Sequence, residues 1–255
     1  MFPIKDNIPT GRLPYMTIAL IVANVLMFFL FQKARLALGG GGVDDLNAVE
    51  YGAIPYELAH PGRECGVSGA GEIICEGQPG VPDGALEQAP TWVTPFTSMF
   101  MHGGLLHLGG NMLFLWIFGN NVEDSMGRLS FLAFYVLGGL AALAGQVIVG
   151  PDAAVPTIGA SGAVAAVLGG YILLFPRARV LTVVFLLLFF TIIELPALVM
   201  LGLWFAQQVL FGYLDLATPA GDGGGVAYFA HIGGFVAGLL LIKLFAQRRT
   251  ERAAY

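Results

Sequence analysis

Five polar side chains stand within apolar stretches of this sequence, and their types together suit acyl transfer. Ser161 lies in TIGASGAV and His231 begins HIGGFVAG, while His102, His107 and Asn111 lie in HGGLLHLGGN. A serine hydroxyl becomes an effective nucleophile when an adjacent base removes its proton, and histidine is the usual base. The tetrahedral intermediate that follows needs hydrogen-bond donors for its oxyanion.

These requirements assign a role to each side chain. We predict Ser161 as nucleophile and His231 as general base and then general acid. His107 and Asn111 are four residues apart on one helical face, so both can donate to an oxyanion together with the Ser161 amide. The nucleophile and base can meet only if their helices approach closely, which small residues permit. The glycines that we predict to allow this approach are Gly159, Gly162, Gly234 and Gly238.

Each residue taken singly also has a structural explanation. Ser161 suits small-residue packing between helices, and His231 suits a buried hydrogen bond between helices. His107 and Asn111 suit the capping and joining of helices, and His102 lies at a turn before Gly103. The chemical interpretation therefore depends on the residues as a set.

The surrounding composition indicates that these residues lie in a membrane. Of the 255 residues, 56% are hydrophobic and 11% are charged, whereas soluble domains carry about 25% charged residues. We predict an all-α polytopic membrane protein with a single domain over residues 1–255, because six runs approach the ~20 residues that a helical span requires. The predicted spans are 14–32, 103–121, 130–149, 158–175, 195–213 and 226–246.

The basic residues predict the orientation. Lys and Arg are enriched on cytoplasmic sides, and with both termini inside, the outer segments hold only Lys33, Arg35 and Arg63. This orientation favours a multi-pass protein of the plasma (inner) membrane. The second, fourth and sixth spans then run from outside to inside, which puts all five polar residues in the outer half and opens the site to the outer side. No basic patch indicates nucleic acid.

Residues 34–92 form the predicted long outer loop, which is rich in Gly, Pro and acidic residues. Cys65 and Cys75 are the only cysteines, and an oxidising compartment favours a disulfide between them; two free thiols are the alternative. His60 lies in this loop and is expected to be solvated. On the inner side, 180–193 is either a short hairpin or an interfacial segment, since Glu194 and Pro196 mark a break that separates it from the fifth span.

Four segments in this order resemble the rhomboid family of intramembrane serine proteases. They are HGGLLHLGGN at 102–111, GNNVEDSMG at 119–127, GASG at 159–162 and AHIGGFVAG at 230–238. The resemblance implies a Ser161–His231 dyad, an oxyanion site from His107, Asn111 and the Ser161 amide, and His102 in support. It also implies cleavage of single-span or polytopic membrane proteins near the outer face of the lipid bilayer, with neither metal nor another cofactor.

The resemblance has two departures and one further implication. Many relatives carry a Trp-Arg pair in the first loop, but TWVTPFTSMFMH contains no arginine. Many also place an aromatic residue one turn after the serine, where this chain has Ala165. The fifth span is expected to move aside for substrate, with Trp204 and Phe205 as candidate gate residues.

Other classes fit less well. No His-Glu-x-x-His motif supports a zinc protease, and Glu123 is expected to order the inner loop with Arg128. An aspartyl protease needs aspartates within helices, whereas Asp215 and Asp222 are predicted in loops. A transporter is expected to place polar groups near the midplane. The remaining alternative is a catalytically silent rhomboid-like protein that binds transmembrane clients, and the sequence predicts no oligomeric state.

Overall fold

The computed structural model describes residues 2–33, 45–69, 71–79, 81, 89–186, 189–217 and 225–246, and these are mostly helical. The helices are α1 (Tyr15–Leu26), α2 (Asp45–Tyr51), α3 (Pro55–Ala59), α4 (Thr94–Thr97), α5 (Leu105–Phe114), α6 (Asn120–Met126), α7 (Arg128–Val149), α8 (Ser161–Leu174), α9 (Ala197–Leu216) and α10 (Tyr228–Phe245). The strands are β1 (Phe2–Asp6), β2 (Cys65–Val67), β3 (Ile73–Cys75), β4 (Arg179–Leu186) and β5 (Phe189–Pro196). Two small sheets therefore correct the all-α prediction.

Helical segments lie at all six predicted positions, but they differ in length. Within the described ranges, three helices are long and apolar enough to cross a membrane, namely α7, α9 and α10. A π-helical turn, Met27–Phe31, extends α1, and a second one, Leu115–Gly119, joins α5 to α6. Helix α8 has only 14 residues, which is ~21 Å of helix against the ~30 Å of a bilayer core. Six complete spans remain a proposal.

Helix α8 forms the centre of the bundle, and its residues from Gly162 to Ile172 are all buried. It packs between α7 and α10 at very short range because glycines face backbone or alanine. A Cβ added to Gly169 would overlap the carbonyl oxygen of Phe235, and one added to Gly138 would overlap Ala166. The start of α8 is thereby fixed against both neighbours.

The segment after α8 forms a β-hairpin, the first of the two predicted alternatives. Strands β4 and β5 pair antiparallel, and β1 adds to the free edge of β4 with Phe2 opposite Val183. The Asp6 carboxylate accepts hydrogen bonds from the Tyr171 hydroxyl and from the Asn121 amide. Residues 2–6 are therefore held against both α6 and α8.

Two sequence-based expectations about acidic residues were wrong. Glu123 does not order the inner loop through Arg128, because its carboxylate accepts from the amides of Met16 and Thr17 at the start of α1. The guanidinium of Arg128 instead lies 4.3 Å from the ring centre of Tyr15. Asp215 lies in the last turn of α9 and not in a loop. Asp222 lies outside the described residues.

The predicted outer loop contains a small folded unit. The disulfide between Cys65 and Cys75 is present, and the two cysteines pair across the β2–β3 hairpin. Val49, Ile54 and Tyr56 pack with the disulfide in a separate apolar cluster. His60 is not simply solvated, because its ring stacks on Tyr56 with 4.3 Å between centres and its Nε2 lies 3.5 Å from the Asp152 carboxylate.

Glu57 should make the stability of this small unit around the Cys65–Cys75 disulfide, called here the outer unit, depend on pH. Its Oε1 accepts the Cys65 amide at 2.8 Å, but its buried Oε2 has no hydrogen-bond partner. Burial raises the pKa of Glu57 from 4.5 to about 7. The folded unit therefore binds a proton that the unfolded chain has lost, so its stability is greatest below pH 4.5 and falls up to about pH 7, by roughly 3 kcal/mol in total.

The reduction of the buried disulfide by a phosphine measures this loss of stability. Between pH 4.5 and pH 7.5 we expect the rate to rise by about a hundredfold as the unit opens more often, in line with the loss of roughly 3 kcal/mol. Glu57→Gln should remove most of the rise, whereas Glu72→Gln, at an exposed position, should keep it. An unchanged pH dependence in Glu57→Gln would contradict this assignment.

Candidate active site

Ser161 is the first residue of α8, at the tip of the central helix. Its backbone amide has no acceptor within the helix, as is general for a first residue. Gly159, two residues earlier, has φ +126°, and a Cβ there would lie 2.7 Å from His107 Nε2 and 3.6 Å from Ser161 Oγ. Glycine is required at this position both by the backbone conformation and by the space. It was predicted to bring helices together, but it instead makes room for His107.

His231 reaches Ser161 from the first turn of α10. The His231 Nε2 and Ser161 Oγ atoms are 2.8 Å apart, which is hydrogen-bond distance. Gly234 lies directly over the carbonyl oxygen of Gly162, where any Cβ would overlap it. The Gln146 side chain accepts the Ala230 amide at 3.1 Å and so satisfies one of the free amides at the start of α10.

His107 and Asn111 line the same cavity as Ser161 and His231. The cavity is about 800 Å³ and its walls come from α5, α8, α9, α10 and the residues before α10. The His107 Nδ1 accepts the Gly103 amide at 3.3 Å, so in a neutral ring the proton is on Nε2 and that atom is a donor. The Nδ2 of Asn111 is buried and has no hydrogen-bond partner. Two donors are therefore available beside the serine.

His102 does not line this cavity. Its ring is fully buried and lies edge-on to His107, with 5.0 Å between the ring centres. Its backbone is held by Gln32, whose Oε1 accepts the His102 amide at 3.0 Å and whose Nε2 donates to the His102 carbonyl at 3.2 Å. The predicted supporting position is consistent with this placement behind His107.

Removing the Gln32 side chain should destabilise the protein. Gln32→Met leaves the buried amide and carbonyl of His102 without partners, and an unsatisfied buried group costs about 1–3 kcal/mol. We expect the midpoint of thermal unfolding in detergent to fall by at least 5 °C, taking about 2–4 °C per kcal/mol for a chain of this size. Gln207→Met, at an exposed position, is the control. Equal midpoints for the two variants would contradict the prediction.

Two residues of α9 lie beside His231: Gln208, which was not assigned from the sequence, and Trp204, which was predicted only as a candidate gate residue. The side-chain oxygen of Gln208 lies 2.8 Å from His231 Nδ1. The Trp204 ring, one helical turn earlier on α9, has its centre 6.0 Å from that of His231. A polar residue in a run that is predicted to span a membrane is a functional candidate by default, and applying this rule to α9 would have found Gln208.

The departures from the family pattern now have a structural context. Ala165 is completely buried in α8, and the aromatic ring near His231 comes from Trp204 on another helix. Phe205 stacks on Phe235 of α10 with 4.5 Å between ring centres, and the ring centre of Trp204 lies 6.0 Å from that of Phe235. Both candidate gate residues therefore lie beside the same side chain of α10. In the arginine-free segment, the Thr97 hydroxyl donates to the Tyr51 carbonyl at 2.6 Å and ties that segment to α2.

Within the described ranges, no three or more His, Cys, Asp or Glu side chains form a group that could hold a metal ion. What the cavity brings together is a hydroxyl, an imidazole at hydrogen-bond distance and two further donors. This set matches what acyl transfer requires.

Comparison with known proteins gives the family to which this chain is similar. A family model described as the Rhomboid domain matches residues 89–248. The chain is 34% identical to Rhomboid protein 1, mitochondrial, of Saccharomyces cerevisiae over 152 residues, which cover 56% of this chain and 39% of that protein. It is 28% identical to Rhomboid protease GluP of Bacillus subtilis over 156 residues, or 61% of this chain and 24% of that protein. The chain thus spans less than half the length of these relatives.

Proposed function

Because the chain belongs to the rhomboid family, whose domain covers residues 89–248, we propose that it is an intramembrane serine endopeptidase with a Ser161–His231 dyad. The observation that carries the proposal is the 2.8 Å separation of Ser161 Oγ from His231 Nε2 within a cavity. A serine and a histidine from different helices reach this geometry only through the close backbone packing of α8 and α10. Small-residue packing alone does not require a histidine there.

The proposed reaction has two proton-coupled steps. Ser161 Oγ attacks the carbonyl carbon of the substrate while its proton passes to His231 Nε2. The oxyanion accepts hydrogen bonds from His107 Nε2, Asn111 Nδ2 and the Ser161 amide. The C–N bond then breaks as His231 gives its proton to the leaving nitrogen. A water molecule then loses a proton to His231 and attacks the acyl carbonyl carbon, and His231 returns that proton to Ser161 Oγ as the ester bond breaks.

The proposed substrates are membrane proteins, single-span or polytopic, that enter from the lipid bilayer. We place the chain in the plasma membrane as six spans, with both termini cytoplasmic and the cavity opening to the outer side. Ser161 then lies below the outer surface, at the start of the fourth span. The scissile peptide bond consequently belongs to the outer part of a substrate helix, where local unwinding exposes it to the hydroxyl.

The test uses the purified full chain in liposomes together with a single-span reporter protein. We expect one major cut, located by mass spectrometry within the outer part of the reporter helix. A parallel incubation with a fluorophosphonate should label Ser161. If the folded protein binds the reporter helix but neither cuts it nor reacts with the phosphonate, the chain is a silent client-binding relative and the proposal fails.

A further inference from the structure

Gln208 is a buried amide side chain, 7% exposed, on the face of α9 that contacts the dyad. Its Oε1 lies 2.8 Å from His231 Nδ1. A carbonyl oxygen only accepts, so His231 Nδ1 must carry the hydrogen in this bond. A neutral imidazole has one N–H, and its Nε2 is then free to accept the proton of Ser161. The hydrogen bond from His231 Nδ1 to Gln208 therefore determines that His231 Nε2 is the basic nitrogen that faces Ser161.

The arrangement also restricts the orientation of the imidazole ring. Trp204 lies one turn before Gln208 on the same helix, and its ring is close to that of His231. The ring of His231 thus has a hydrogen bond at each nitrogen, to Gln208 and to Ser161, and an aromatic neighbour on α9. Rotation about its side-chain bonds would break both hydrogen bonds together.

We propose that Gln208 is a positioning residue that holds His231 in the tautomer and orientation required to deprotonate Ser161. This inference rests on the proposed protease function and deepens it. It extends the site from a dyad on α8 and α10 to a hydrogen-bonded chain of three side chains, Ser161, His231 and Gln208, the last of which comes from α9. This chain of hydrogen bonds is complete only while α9 lies against α10 at the level of Gln208.

The acceptor comes from the helix that also carries the candidate gate residues. Phe205 and Trp204 contact Phe235 from the same stretch of α9. Displacing α9 at this level would remove the acceptor from His231 and leave its two tautomers free to interconvert. If substrate enters past α9, then either α9 does not move at the level of Gln208, or it returns to its place against α10 before the proton transfer.

Three variants of the full chain in liposomes test the role of Gln208. Gln208→Met keeps the length of the side chain but removes the acceptor, whereas Gln208→Glu keeps an acceptor at the same place. Gln207→Met is the matched control, since Gln207 is the neighbouring residue of the same type and its side chain is exposed, whereas that of Gln208 is buried. Reporter cleavage gives kcat and KM, and the rate of fluorophosphonate labelling reports serine activation without any substrate helix.

We expect Gln208→Met to lower kcat and the labelling rate by roughly 10- to 100-fold, with KM within twofold. This loss is smaller than the ~10⁴-fold loss on replacing the orienting carboxylate of a Ser-His-Asp triad, because a neutral amide stabilises the imidazolium less than a carboxylate does. Gln208→Glu should restore kcat to within about fivefold of the wild type, because its carboxylate accepts the same bond. Gln207→Met should match the wild type. A structural role alone would instead lower the amount of folded protein in both Gln208 variants alike.

The outcomes separate this inference from the proposed function. Wild-type protein that neither cleaves nor labels contradicts the protease itself. An active wild type with equal kcat in Gln208→Met overturns only the positioning role. The same holds if Gln208→Glu is folded but as slow as Gln208→Met, because restoring the acceptor would then have no effect.

Discussion

Ser161→Ala and His231→Ala should each lower reporter cleavage by about 10⁴-fold or more, and the double variant should be no slower than either single one. The residues of a nucleophile–base pair act as a unit, so removing one leaves little for the second removal to affect. The 2.8 Å contact between the two side chains is the physical basis of this coupling. Fluorophosphonate labelling should be lost in both single variants, because His231 is needed to activate the hydroxyl.

The controls for this experiment are a serine and a histidine elsewhere in the chain. Ser130→Ala changes the first turn of α7, and His60→Ala changes the outer unit. Both should cleave the reporter at the wild-type rate. All four variants should elute as folded protein in detergent. Retention of more than a few per cent of activity in Ser161→Ala would show that another group attacks the substrate.

Gly238→Ala should have the second largest effect, on folding. A Cβ at this position would lie 2.7 Å from the carbonyl carbon and 2.8 Å from the Cα of Ala166, and it would overlap the carbonyl oxygen. These are backbone atoms of the central helix, which cannot rotate away as a side chain can. Helices α8 and α10 must separate, and we expect a loss of about 3 kcal/mol or more in the free energy of unfolding.

Gly202→Ala is the matched control, because a Cβ at Gly202 would meet nothing within 4 Å. In a helix interior this change should be neutral or stabilise by up to about 1 kcal/mol. Thermal unfolding in detergent compares the two variants directly. We also expect the Gly238→Ala protein that remains folded to cleave the reporter slowly, since α10, which carries His231, is displaced. Equal midpoints for Gly202→Ala and Gly238→Ala would contradict this packing.

The parts of the molecule that the sequence predicted well are those with a strong local signal. A helical segment is found at each of the six apolar runs that were predicted as spans, because a long apolar stretch needs a helix to satisfy its backbone hydrogen bonds. The polar residues stood out against that background, and the structure does bring Ser161, His231, His107 and Asn111 to one cavity. The pairing of the two cysteines was predicted because an oxidising compartment favours a disulfide, and the disulfide is present.

The parts that the sequence did not predict depend on contacts between distant segments. Glu123 looked like a partner for a nearby arginine, but tertiary packing places it under the start of α1. Glutamine is neither a nucleophile nor a base, so Gln208 was not selected as a candidate from the sequence. Its role depends on which face of α9 is turned towards His231. Strand β1 is too short and isolated to be recognised before its partner is known.

The pairing of β1 with β4 has a consequence for the order of synthesis. Residues 2–6 are made long before their partner strand, and their contacts with Asn121 and Tyr171 also come from later segments. During translation these residues therefore stay unpaired until the hairpin has been made. The earliest described segment of the chain is therefore among the later ones to reach its final place, after α8 and the β4–β5 hairpin have been made.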